Sequence, residues 1–160
     1  MTQLESLAAY RCPAYESYPS IPLYKDQVLA FLNQALAPLT GEETAVTSAM
    51  INNYVKMKVL PPPEHKKYSR DQVVCLYVIN LCKQVLRMDE IRLLLSLAFP
   101  PENVEGGYLR FCACLEAELQ ALRDASPLPA PEEQPLLGAV VRSLVYRLYA
   151  SALLEESART

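Results

Sequence analysis

The sequence predicts an all-α fold, with a winged helix-turn-helix core, a short wing and a C-terminal helical hairpin. Three observations carry this. Only four glycines occur in 160 residues, too few for a β-rich fold built on tight turns. Runs of Leu, Ala, Glu and Arg favour helix. The stretch from Thr47 to Arg92 then orders its parts in a telling way: a helix with a polar face, a proline triplet, a short basic segment and a capped apolar helix.

Composition sets the outer limits. Hydrophobic residues make up 51% of the chain, enough for one domain with a real core. No apolar run approaches the ~20 residues of a membrane span, and the start shows no charged-then-apolar leader. The five cysteines, Cys12, Cys75, Cys82, Cys112 and Cys114, do not pair evenly. The expectation is a cytoplasmic protein with free thiols. The net charge of -3 hides an asymmetry. Residues 44–96 carry eight basic against four acidic side chains, while both flanks are acidic. A local basic field is what matters for nucleic acid.

Taken in order, residues 1–22 read as an extended arm with a short helix at its start, its tyrosines packing onto the body. Residues 24–37 form a helix with Val28, Leu29, Leu32, Ala35 and Leu36 on one stripe, ended by Pro38 and Gly41. Thr47 caps a second helix over 48–58, whose buried stripe is Met50, Ile51, Tyr54 and Val55. Ser48, Ala49, Asn52, Asn53 and Lys56 fall in one opposite sector of about 140°. Two successive Asn residues are poor helix formers and call for a reason. Contact with base edges is one, and a solvated face is the other.

Pro61, Pro62 and Pro63 stop that helix, and His65, Lys66 and Lys67 follow on a short exposed loop. Ser69 and Gln72 form a capping box for a third helix, 70–85, apolar almost all round. A fourth helix covers 88–98. Pro100-Pro101 and a Gly106-Gly107 turn mark a boundary. A fifth helix spans 108–124, a proline-rich connector follows, and a last helix spans 132–157. Leu109, Leu115, Leu119 and Leu122 are expected to cover one stripe of the last helix, while Leu137, Val140, Val141, Leu144, Val145, Leu148 and Leu153, with Tyr146 and Tyr149 beside them, are expected to bury the rest against a second copy of the chain. The expected organisation is an arm (1–22), a DNA-binding-like domain (23–99) and a C-terminal helical region that dimerises (100–160).

Catalytic signals are lacking. There is no phosphate-cradling glycine loop, paired C-x-x-C pattern or nucleophile elbow, and one histidine, His65, sits in the basic loop. Cys112 and Cys114 lie i and i+2 on a helix, about 200° apart, so one metal cannot take both. The expectation is no enzyme, no cofactor and no metal.

The segments MINNYVKMKVLPPP, KKYSRDQ and KQVLRMDEIRLLL, together with Tyr24-Lys25-Asp26-Gln27, resemble a bacterial family known only as a domain of unknown function, whose members look like transcriptional regulators. The region is also similar to the DNA-binding half of the mercury-resistance-regulator (MerR) superfamily, with its R-Y-Y-E-x-x-G-L-L-x-P recognition helix. Asn52-Asn53-Tyr54 would take the first three positions of that pattern, Val59-Leu60 its paired leucines, and Tyr68 the wing tyrosine. Glu90-Ile91 and Leu94-Leu95 match a later E-I-x-x-L-L motif. Asn52 stands for the arginine and Lys58 for the glycine, the wing is shorter, and the loop Leu39 to Val46 is longer. The resemblance implies a MerR-like regulator of transcription, a homodimer on double-stranded DNA. Ser48, Asn52 and Asn53 would approach bases, and Lys56, Lys58, Lys66, Lys67 and Arg70 would hold phosphates. The alternative is an interaction module on the same scaffold that does not read DNA.

Overall fold

The computed structural model describes residues 3–41, 45–126, 128 and 134–159. Among them the chain forms α1 (Gln3–Ala9), β1 (Leu23–Tyr24), α2 (Lys25–Thr40), α3 (Ser48–Lys56), β2 (Lys67–Tyr68), α4 (Arg70–Cys82), α5 (Met88–Ala98), α6 (Val104–Asp124) and α7 (Pro135–Arg159). The fold is all-α apart from the antiparallel pair β1–β2, in which Leu23 faces Tyr68 and Tyr24 faces Lys67.

α4 is the hub. Its residues from Leu76 to Cys82 are all buried, and it packs against α2, α5, α6 and α7. The capping box that starts it forms as the spacing requires: the Gln72 amide N–H donates to Ser69 Oγ at 3.3 Å, and the Ser69 N–H to Gln72 Oε1 at 2.8 Å. The helix stops at Cys82 rather than near 85, because Gln84 and Val85 bond back three residues and tighten its last turn.

The sequence expectations need correction at three other points. Pro38 does not end α2 but lies inside it, and the helix runs to Thr40 with Leu39 buried. Gly106 and Gly107 do not form a turn; both lie in the first turn of α6, which starts at Val104. A Cβ on Gly107 would stand 2.3 Å from the Ala98 carbonyl oxygen, so glycine lets α6 approach the end of α5. Leu109, placed against the last helix by its spacing, is instead exposed.

The N-terminal arm is sewn to the body by its tyrosines, as anticipated. Tyr10 Oη lies 2.7 Å from Tyr77 Oη and donates to the Ala35 carbonyl at 2.9 Å. Tyr18 Oη donates to Tyr108 Oη at 3.0 Å, and Tyr108 Oη to the Pro13 carbonyl at 2.6 Å. Burial pushes the hydroxyls of Tyr10, Tyr18, Tyr77 and Tyr108 well above the usual tyrosine range.

α7 packs on α6, α1 and α4. Leu137, Val140, Val141, Leu144, Val145 and Leu148, the stripe expected at a subunit joint, are buried within the single chain. The ion pair between Arg142 and the buried Glu118, at 2.8 Å, ties α7 to α6. By length and composition alone α7 could cross a membrane, against the expectation that no apolar run is long enough, because Arg142 and Arg147 interrupt its apolar residues without ending the helix. Its apolar stripe is taken up by the protein core. The start of the last helix expected at 132–134 falls largely outside the described residues. All five cysteines are free thiols.

Candidate nucleic-acid interface

Thr47 Oγ1 accepts the Met50 N–H at 3.3 Å and starts α3 where the sequence placed it. Ile51 and Tyr54 are buried, and Met50 and Val55 half-buried. Tyr54 anchors the helix: its Oη donates to Asn80 Oδ1 at 2.9 Å, and Asn80 Nδ2 donates to the Leu76 carbonyl at 2.7 Å. Burial pushes the Tyr54 hydroxyl up to about 12. Ser48, Ala49, Asn52, Asn53 and Lys56 are all exposed, so the polar sector is open to solvent along the whole helix.

The helix ends at a backbone device. Lys58 N–H bonds to the Val55 carbonyl at 3.0 Å and Val59 N–H to the Tyr54 carbonyl at 2.9 Å. This is the Schellman pattern, with Lys58 in the left-handed position at φ 60. Glycine is the usual occupant, and a lysine there carries strain. That turn ends α3 two residues before the expected 58.

The basic loop is a tight hairpin. Glu64 and Lys67 exchange backbone bonds at 3.2 and 2.9 Å. Between them His65 and Lys66 both have positive φ, 50 and 63, the requirement of a two-residue type I′ turn. Neither is Gly, Asn or Asp, so sequence signals for this turn were absent. Lys66 is thrust out at the tip. Lys67 sits in β2 with its ammonium 4.9 Å from the Tyr24 ring centroid.

Between α3 and the hairpin lies a groove of about 520 Å³, lined by Tyr24, Lys25, Asn52, Val55, Lys66 and Tyr68 among others. It brings Asn52 and Lys66 to one surface. Lys25, which the sequence reading did not single out, donates from Nζ to Asn52 Oδ1. It adds a cation to the groove and occupies one end of the Asn52 amide. Asn53 Nδ2 donates to Met57 Sδ at 3.5 Å, a weak bond on an exposed side chain.

Arg70 is engaged elsewhere. Its Nε donates to the Tyr18 carbonyl at 2.9 Å, and its guanidinium lies 5.0 Å from the Tyr15 ring centroid. It fastens the N-terminal arm to the start of α4. Lys25 and Asn80, the two residues that the sequence did not mark, act through partners about 26 positions away, and local spacing carries no sign of such pairs. Among the described residues no group of three or more His, Cys, Asp or Glu side chains is placed to hold a metal ion.

Neither the curated proteins nor the solved structures contain a match to this chain. A family model does match, over residues 13–111, which span the arm from Pro13, the groove, α4, α5 and the start of α6. The chain belongs to the family described as "Domain of unknown function (DUF1836)".

Proposed function

We propose that the protein binds double-stranded DNA and regulates transcription, with α2 and α3 as a MerR-like helix-turn-helix and the 64–67 hairpin as its wing. The supporting observation is that α3 exposes Ser48, Asn52, Asn53 and Lys56 on one face beside a hairpin tip that carries Lys66. An α-helix fits the major groove, and a basic projection next to it suits the phosphate backbone. Ser48, Asn52 and Asn53 approach bases. Asn52 must first exchange its Lys25 partner for a base, after which Lys25 is free for a phosphate. Lys56, Lys58, Lys66 and Lys67 hold phosphates; Arg70, committed to Tyr18, contributes mainly by fixing the arm. The left-handed Lys58 favours the resemblance, because the related pattern has glycine at that position.

Two copies reading two half-sites would supply the contacts that one module lacks. With the main stripe of α7 buried, the pairing surface narrows to Leu136, Tyr146, Leu153 and Leu154, which are exposed on α7.

Fluorescence anisotropy on a random-sequence duplex, first at low salt and then through a salt titration, tests the reading. The wild type should bind and lose affinity steeply as salt rises. Changing Lys56, Lys66 and Lys67 together to Glu should abolish binding with the helical signal intact. Converting the same three to Gln should flatten the slope of log affinity against log salt by roughly 3 units. Equal binding by wild type and the Glu variant rejects the reading and leaves an interaction module that does not touch DNA.

A further inference from the structure

A separate cavity of about 570 Å³ opens where the end of α3, the proline segment, α4 and α5 meet. Its size lies within the ~300–1,000 Å³ of small-molecule sites. The walls are mostly apolar and include Val55, Leu60, Cys75, Leu95, Phe99 and Val104. Burial pushes the Cys75 thiol up to about 12, so the sulfur is a neutral wall atom rather than a nucleophile.

The polar lining divides into satisfied and unsatisfied groups. Gln72 is fully used, accepting from the Ser69 N–H and donating from Nε2 to the Pro61 and Pro62 carbonyls at 3.1 and 3.2 Å. Asp71, the single acidic residue among the described residues of the lining, accepts the Tyr15 hydroxyl at 2.9 Å. Lys58 and Arg92 remain. Both are exposed, and neither forms a side-chain hydrogen bond or ion pair among the described residues.

We propose that this cavity binds a small organic carboxylate with an apolar body, its carboxylate held by Lys58 and Arg92. The apolar walls select the body. The Arg92 guanidinium offers the fork that matches a planar carboxylate. A single negative charge suits a lining of two cations and one acid better than a multiply charged phosphate. The proposal does not depend on DNA binding, and its test contains no DNA.

Octanoate is the probe, titrated into the full-length protein by calorimetry, with 1-octanol as the uncharged control. One saturable site per chain in the millimolar range or tighter is expected for octanoate, with clearly weaker binding of octanol. Arg92→Gln removes an exposed cation and should weaken octanoate about tenfold or more, the usual effect of losing a charge-assisted hydrogen bond. Ser96→Trp places an indole in the cavity from an exposed lining position and should block binding. Because the chain has no other tryptophan, its emission also reports whether the indole is sheltered. Circular dichroism confirms that both variants fold. Absence of saturable binding overturns the proposal, as does octanol binding as well as octanoate. Unchanged affinity in both folded variants overturns it too.

Discussion

Lys58 is where backbone strain and proposed contact coincide. Its φ of 60 places a Cβ in the left-handed region, at a cost of ~1–2 kcal/mol for an L-residue. Glycine carries no such penalty but gives the unfolded chain more freedom. Lys58→Gly should therefore raise stability by about 0.5–1 kcal/mol, read as an upward shift of the thermal midpoint. The same change should lower DNA affinity and flatten the salt slope by about one unit, the share of one phosphate contact. Opposite signs in the two measurements are the expected outcome. A gain in stability with unchanged salt dependence would remove Lys58 from the contact surface and leave it a cap. Residue-level legibility followed locality. Thr47, Ser69 and Gln72 were readable because a cap lies within three residues of what it caps. The Lys25–Asn52 and Tyr54–Asn80 bonds were not, because each joins elements that only the finished packing brings together.

At the scale of elements, the segment from α3 to α4 behaves as one device. The Schellman turn at Lys58 redirects the chain, the prolines hold it extended, the hairpin reverses it and β2 pairs with β1. Gln72 is the clamp, bonding to the Ser69 N–H, the Pro61 carbonyl and the Pro62 carbonyl. Gln72→Ala removes all three bonds. Half of a capping box and two exposed tethers together are worth about 1–2 kcal/mol. The expected result is a loss of that size in a urea melt, with faster amide exchange confined to residues 64–69. A loss spread evenly over the chain would show that the clamp serves the core and not the hairpin. The helices themselves were legible from apolar spacing and caps, with ends moved by a few residues. What was not legible was the role of glycine in a helix: Gly106-Gly107 reads as a turn in sequence, yet Gly107 is required by the close approach of the Ala98 carbonyl. The His65–Lys66 turn was equally hidden, since its usual residues are absent.

Over the whole molecule, buried tyrosines link stability to pH. Tyr10, Tyr18, Tyr77 and Tyr108 join the arm to α2, α4 and α6, and Tyr54 joins α3 to α4. Desolvation raises all five hydroxyls above 10.0, Tyr54 to about 12. The folded state thus keeps protons that the unfolded state releases, and stability falls as pH rises. It should be fully present below about pH 10 and lost towards pH 12, with tyrosinate absorbance and helical signal changing together. Tyrosines titrating gradually while the helices persist would contradict their burial. α7 poses the final question, because the stripe expected to join two subunits is spent inside one. Val141, Leu144 and Val145 are completely buried, and Leu137, Val140 and Leu148 nearly so. Burying one such side chain is worth ~1.5–3 kcal/mol, against a total stability of ~5–15 kcal/mol for a domain. Deleting residues 127–160 should therefore abolish the cooperative thermal transition instead of merely separating subunits. The proposed pairing needs a gentler test: Tyr146→Glu with Leu153→Glu, both on exposed side chains. This variant should keep its helical content and thermal midpoint. Sedimentation at micromolar concentration should show the wild type as a dimer and the variant as a monomer. A monomeric wild type under those conditions would reject the dimer and confine α7 to the core of one chain.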